Sequence, residues 1–148
     1  MPVPLGLDGK LYRNSATWAT PTWNEVDNVR DLTQNLEKGE ADLSARNTGG
    51  FRARRGTLKD GTIEFGMNFD PADPEFTAIK DAFFNNTVLD MAAMSGDITT
   101  TGEQGLRAEM DVLNFSRNEN LEEGMTVDVS LAVAPPQTGQ TPTWFEVP

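Results

Sequence analysis

The sequence contains 148 residues, 37% of them hydrophobic and 24% charged, which suits one domain with one core. It has no histidine and no cysteine, which excludes Ser-His-Asp and Cys nucleophile chemistry, disulfides and thiolate zinc sites. The net charge of −11 disfavours a role that depends on holding DNA, because such affinity rests on cationic neutralisation of phosphates. An enzyme would have to use carboxylates, Lys, Arg or the single Tyr. We therefore predict a protein without catalytic activity, cofactor or bound metal.

The start of the chain and its longest apolar runs bear on where the protein is found. The first residues lack the basic start and apolar stretch of a secretory signal peptide. No apolar run approaches the roughly 20 residues of a membrane helix. We expect no membrane partner, and a protein that stays in the cytosol unless it leaves inside something larger.

The first third of the chain predicts an arm followed by short strands. Residues 1–21 are rich in Pro, Gly, Thr and Ser and lack periodicity, which indicates an extended arm or a loosely packed lead-in. Strand patterns follow at residues 22–29 and 40–45, the second with three apolar residues on one face.

A turn-rich basic segment over residues 46–61 precedes the clearest strand. Its composition predicts a long basic loop, with a hairpin tip at Thr48–Gly50 and another turn at Asp60–Gly61. In residues 62–69 apolar and other residues then alternate strictly, so four large apolar side chains share one face. This strand is expected at the centre of the core, on the evidence of Ile63, Phe65, Met67 and Phe69.

One helix is predicted after this strand. Asp73 can cap its start, Pro74 suits the first helical position, and Glu75 complements the helix dipole. A calcium loop around these acids is disfavoured, because the EF-hand ligand spacing and its central Gly are absent. The helix ends at Asn85-Asn86. The face expected to pack against the sheet consists of Phe76, Ile79 and Phe83.

The remaining strands predict a mainly β protein. Alternation recurs at residues 88–95, 106–112 and 125–133, and a change of phase at residues 113–115 indicates a bulge or a strand that crosses between sheets. The C-terminal segment 135–148 begins with a Pro-Pro linker. We predict one domain over residues 1–148, with two packed antiparallel sheets as a sandwich or partly open barrel and one short flanking helix.

Two charged groups are candidate sites. The first is a basic cluster that suits an acidic partner surface, most simply another copy of the chain; a nucleic-acid patch and a solvated strand face are the alternatives. The second is an acidic stretch that suits the lining of a solvent channel or a merely exposed face. The basic cluster consists of Arg46, Phe51, Arg52, Arg54 and Arg55. The acidic stretch consists of Asp27, Asp31, Glu37, Glu40 and Asp42.

The three tryptophans lie near the ends of the chain, at Trp18, Trp23 and Trp144. Burial in the core or in an interface is favoured over a platform for carbohydrate.

Several features follow one another in a fixed order between residues 23 and 133. An early segment reads Trp-x-x-Val-x-Asn-Val-Arg-Asp-Leu, and a Gly/Arg-rich loop and a Leu-Lys-Asp-Gly turn follow it. An aromatic strand then ends at Phe69-Asp70, and Asp73-Pro74 opens a short helix. In this order the chain resembles the major tail tube protein of long-tailed phages, a family related to contractile-tail and type VI secretion tubes.

The resemblance implies a structural subunit of the virion tail, assembled in the host cytoplasm. Two packed sheets with a flanking helix would form hexameric rings, in which the sheets of neighbours join into one barrel. Rings would stack through the N-terminal segment and a long loop, and the bore would let DNA pass during ejection. Partners would be further copies of the chain and the tape measure, tip and terminator proteins of a tail. The alternative is a monomeric β-sandwich that binds a ligand or serves adhesion.

Overall fold

The computed structural model describes residues 3–135 and 141–148. Met1, Pro2 and residues 136–140 lie outside this part of the chain, and with them part of the predicted arm and of the predicted Pro135–Pro136 linker. The elements in chain order are β1 Lys10–Asn14, β2 Trp23–Glu25, β3 Val29–Asp42, β4 Arg54–Asn68, α1 Pro74–Asn85, β5 Val88–Met94, β6 Gln104–Asn118, β7 Thr126–Val133 and β8 Thr143–Glu146. The predicted mainly β class with one short helix is confirmed. No helix within the described residues is long and apolar enough to cross a membrane.

The strands form one antiparallel sheet in the order β2-β1-β5-β6-β7-β4-β3, and β8 pairs with the start of β6. The two sheets expected from the sequence are two parts of this one sheet, because the 15-residue β6 pairs first with β5 and then with β7. The sheet curls without closing into a barrel. As a result, Leu32 on the edge strand β3 and Met94 on β5 line the same cavity.

The core fills the concave side of the curled sheet. Side chains from β1, β4, β5, β6 and β7 form one buried cluster, as the alternation in the sequence predicts. Helix α1 covers this side: Phe76 and Ile79 are buried in the cluster and Phe83 packs against it. Fully burying such side chains stabilises the fold by about 1.5–3 kcal/mol each.

The start of the helix forms as its sequence predicts. The Asp73 side chain accepts a hydrogen bond from the Glu75 amide at 3.0 Å, Pro74 occupies the first turn, and Asn86 ends the helix in the left-handed conformation. Glu75 has a further contact that the sequence did not indicate. Glu75 is 6% exposed, and its carboxylate accepts a hydrogen bond of 2.5 Å from the Arg13 Nε, which ties the helix to β1.

The prediction of an extended arm over residues 1–21 is wrong for residues 10–14. Lys10–Asn14 forms β1, which lies between β2 and β5 inside the sheet. Leu11 and Tyr12 are buried on its opposite faces, in two different apolar clusters. A strand buried on both faces has no alternation of apolar and polar residues, which is why periodicity did not reveal it.

The prediction of a turn at Asp60–Gly61 is also wrong. Strand β4 runs without interruption from Arg54 to Asn68, and Gly61 pairs with Leu36. A Cβ at Gly61 would lie 3.1 Å from a Val133 methyl and 3.2 Å from a Leu36 methyl. Glycine at this position permits close approach of neighbouring strands, and no reversal of the chain is involved.

The phase change in β6 is a bulge. Pairing with β7 shifts in register between Val112 and Asn114, and Leu113 is 63% exposed. The prediction of a bulge at this point is confirmed, and the strand continues beyond it to Asn118.

A buried cation fixes the loop between β1 and β2. The Arg107 guanidinium donates to Asp90 at 2.8 and 3.3 Å and to the Trp18 carbonyl at 2.8 Å. It also stacks 3.9 Å from the centre of the Trp18 ring and 4.8 Å from that of Trp23. Two of the three tryptophans thus pack around one arginine, whereas Trp144 is 56% exposed.

We expect Arg107→Ala to lower the free energy of unfolding by about 3–5 kcal/mol, because it leaves the half-buried Asp90 carboxylate without its cation. The matched control is Arg117→Ala on the same strand. Arg117 pairs with Glu119 at 3.6 Å on the surface, so its loss is expected to change stability by about 1 kcal/mol at most. Denaturant unfolding of both variants measures the difference, and equal losses would contradict a special role for Arg107.

Candidate functional site

The section β3–β4–β7–β6 has one apolar and one polar face. Residues paired directly across antiparallel strands point to the same side, so the register assigns each face. The apolar face includes the rows Gln34–Ile63–Leu131–Val112 and Leu32–Phe65–Val129–Phe115. The polar face includes the rows Asn35–Thr62–Ala132–Asp111, Thr33–Glu64–Ser130–Asn114, Gly66–Asp128–Ser116 and Asn68–Thr126–Asn118.

The polar face is acidic. The pair Glu37–Asp60 continues this face beyond Asn35 and Thr62. Together with this pair, the described rows of the polar face carry five carboxylates and neither Lys nor Arg. Four of the five residues are exposed and the fifth is half-buried. Such a face repels phosphates and suits contact with water. The five residues are Glu37, Asp60, Glu64, Asp111 and Asp128.

The structure brings only one of the five sequence-predicted acids onto this face, namely Glu37. Asp27 lies in the turn between β2 and β3, and Asp31 lies where the register of β3 shifts. Glu40 and Asp42 lie beyond a second register shift. The stretch is therefore not one surface. The other carboxylates of the acidic face come from β4, β6 and β7, whose pairing the sequence does not reveal.

Strands β3 and β4 continue beyond the sheet as a two-stranded ribbon. Strand β7 pairs with β4 over residues 62–68, so no third strand among the described residues lies beside residues 37–61. We call residues 37–61 the projecting hairpin. Its end turns through Gly49 and Gly50, both at positive φ, as predicted for the hairpin tip. The Thr48 hydroxyl bonds to the backbone of this turn, so the tip has a defined shape.

All five residues of the predicted basic cluster lie at this tip. They are exposed, and Phe51 is 80% exposed. The Arg54 Nε lies 3.8 Å from the Glu40 carboxylate across the ribbon, so part of the predicted acidic stretch neutralises part of the basic cluster within one chain. Arg46, Arg52 and Arg55 form no ion pair with the described residues.

One acid at the base of the tip, Asp42, has a lowered pKa. The side chain and the backbone amide of Ser44 donate hydrogen bonds to Asp42 and hold the pKa of its carboxyl below the ordinary value. Because hydrogen bonds to the charged form favour that form, acidification is expected to protonate Asp42 after ordinary exposed aspartates.

Two strand edges of the section β3–β4–β7–β6 are open. Strand β3 is the last strand of the sheet, so its outer edge has no partner among the described residues. Strand β6 pairs with β5 only up to Asp111, which leaves one edge of residues 112–118 unpaired within the same described part of the chain. Open edges present unpaired N–H and C=O groups to another chain. The section can therefore accept a further strand on either side.

Within the described residues, no group of three or more His, Cys, Asp or Glu side chains is arranged to hold a metal ion. The chemistry that this arrangement offers is that of surfaces: an acidic face, a basic projecting tip and two open strand edges.

Comparison with known proteins gives structural matches only. No protein-family model matches the sequence, and no curated protein matches it. Among solved structures, a chain of the tail of an empty gene transfer agent particle with C6 symmetry aligns at a TM-score of 0.72 and 14% identity, over 97% of this chain and 99% of that chain. A chain of the SPP1 tail tube aligns at a TM-score of 0.71 and 16% identity, over 97% and 80% respectively.

A more distant match is a chain from the 6-fold symmetrised baseplate of the anti-feeding prophage. It aligns at a TM-score of 0.54 and 9% identity, over 94% of this chain and 91% of that chain. Identities this low establish the fold alone. The chain has the fold found in the SPP1 tail tube and in the gene transfer agent tail.

Proposed function

We propose that this protein is the structural subunit of a phage-type tail tube, in which rings of six copies stack around a channel for DNA. The observation that carries the proposal is the section β3–β4–β7–β6, which combines two open edges with one acidic face. The symmetry of the matched tail, given as C6, supports six copies per ring. In this role the protein is not an enzyme and is located in the virion tail.

The open edges supply the contact between neighbours in the ring. The outer edge of β3 in one copy pairs with residues 112–118 of β6 in the next, which extends the sheet around the ring. Because the two edges differ, the contact is head-to-tail and repeats until the ring closes. Backbone hydrogen bonds then replace the water at both edges.

The acidic face becomes the inner surface of the tube. Its opposite face is filled by the core of the same subunit, so the polar face is the one that stays in water after the sheets join. Five carboxylates per subunit and the absence of Lys and Arg from these rows prevent DNA phosphates from binding as they pass. Further partners are other tail components, such as tape measure, tip and terminator proteins.

We expect the purified protein to form rings or tubes at high concentration. Each copy has unpaired edges that another copy can satisfy, so light scattering should detect particles far above 16.2 kDa and electron microscopy should show rings. A protein that stays monomeric over a wide concentration range would contradict the proposal and favour a monomeric binding module.

Cysteine cross-linking tests the edge pairing directly, because the chain has no cysteine of its own. We combine Asn35→Cys on β3 with Ser116→Cys on β6, and separately with Asn114→Cys and with Asn118→Cys to cover the register. Within one chain these strands are three strand spacings apart, about 14 Å, whereas a disulfide needs Cα atoms within about 7 Å. Oxidation should therefore join different copies.

The expected product of the right pair is a ladder of bands that ends at six copies. The single-cysteine variants are the controls, and each is expected to give at most a dimer. Rings in the microscope without a ladder from any of the three pairs would show that other surfaces join the subunits.

We expect no shift of a labelled DNA duplex by low micromolar wild-type protein at physiological salt, because the net charge and the acidic face oppose it. The variant Glu64→Lys/Asp128→Lys places cations on that face and should bind more tightly. The matched control Asp81→Lys/Glu146→Lys changes the net charge equally on α1 and β8 and should bind less than that variant. A clear shift by the wild type would contradict a channel that does not hold DNA.

A further inference from the structure

The tip of the projecting hairpin ends in an exposed aromatic side chain within a group of cations. Phe51 is 80% exposed and precedes Arg52, Arg54 and Arg55. From Leu43 to Gly56 the chain has four arginines and no acidic residue. A large apolar side chain fully presented to water, and ringed by one sign of charge, is typical of a surface that contacts a partner.

An aromatic groove lies at the other end of the sheet. It has a volume of about 510 Å³ between α1, the end of β4 and the end of β6. Phe69 and Phe76 meet edge to face at 5.1 Å in its wall, and Phe84, on the rim, is 70% exposed. The groove is lined by Phe69, Pro71, Phe76, Lys80, Phe84, Phe115, Arg117, Glu119 and Val127.

The surroundings of the groove are acidic. The loop from Glu119 to Met125 carries three glutamates and no cation, and Leu121 within it is fully exposed. A backbone hydrogen bond from Phe69 to the Met125 carbonyl at 2.9 Å holds this loop beside the groove. The two cations in the lining each have an acidic neighbour within the chain: Arg117 with Glu119 at 3.6 Å and Lys80 with Asp81 at 3.9 Å.

The tip and the groove of one chain cannot meet. Phe51 and Phe69 lie beyond opposite ends of β4, whose 15 residues span about 45 Å. Any contact between them therefore joins two copies, and the two ends complement each other in charge and in apolar character.

We propose that the tip of one copy docks into the aromatic groove of a second copy, with Phe51 in the groove and the arginines against the glutamates of the 119–123 loop. This rests on the proposed function and names the surface of the next ring that receives the hairpin. The tip and the groove are different surfaces of the same chain. A stack of copies therefore keeps a free tip at one end and a free groove at the other, so further copies can add along an axis.

Charge exchange between the two ends tests this docking. The tip variant Arg52→Glu/Arg55→Glu and the groove variant Glu122→Lys/Glu123→Lys should each raise the concentration needed for tubes by about tenfold or more, because like charges then face each other. The combined variant carries both changes and should form tubes again, as should a mixture of the two separate variants. Asp97→Lys/Glu146→Lys changes the charge equally at the other end of β6, in the loop after β5 and in β8, and is the control for the groove variant.

The apolar part of the contact has its own matched pair of variants. Phe51→Ala should weaken stacking, whereas Leu58→Ala, which removes another exposed apolar side chain (86% exposed) from the same hairpin, should not. Circular dichroism checks that each variant is folded.

The six-band ladder measures ring formation separately from stacking, so the proposed ring and the proposed docking can fail independently. Rings that persist while stacking is lost and then regained by charge exchange support the docking. Rings and tubes that form normally in the tip and groove variants would overturn the docking alone. Absence of rings in the wild type would overturn the proposed function itself.

Discussion

Strand β6 belongs to both parts of the sheet, and the rest of the architecture depends on this double pairing. Its first half pairs with β5 and β8, and its second half pairs with β7. The bulge at Val112–Asn114 separates the two halves and lets the strand change its environment without a break. Because β5 ends its pairing at Asp111, the second half of β6 keeps one free edge. The same strand thus completes the core and exposes the edge to which a neighbour can add.

Open edges are a hazard for a β protein, and this chain restricts how they pair. The register of β3 shifts twice, between Val29 and Leu32 and between Lys38 and Glu40, and that of β6 shifts once. Bulges twist an edge and limit the length over which an arbitrary strand fits. Charged residues of both signs along β3 further disfavour pairing with a wrong partner. An edge that is open and irregular pairs best with a strand of matching shape. This selectivity favours an ordered contact over unspecific aggregation.

The sequence predicted local structure well and surfaces poorly. The cap of α1, the alternation in β4 and the bulge in β6 follow from short-range patterns, and each is present. Strand β1 was missed because it is buried on both faces, and Gly61 was misread because its role is close packing against Val133. The acidic face combines Glu64 with carboxylates from β6 and β7, and only the pairing of distant strands brings these together. The tip cluster was visible because it is contiguous in the chain, whereas its acceptor groove combines residues from 69 to 127.

In the proposed assembly, two different head-to-tail contacts per subunit account for a tube more economically than one contact does. The proposed edge contact would run around a closed ring, because the curled sheet sets an angle between successive copies. The proposed contact between tip and groove joins copies along the strand direction, because the tip and the groove lie about 45 Å apart at opposite ends of β4. Repeating this contact adds copies along an axis and does not close a ring. Exposed ion pairs are individually weak, about 0–1 kcal/mol, so a single subunit binds its axial neighbour loosely. A closed ring presents all its tips at once, and the loose contact becomes firm only after ring closure. The proposed contacts therefore predict that rings form first and stack second.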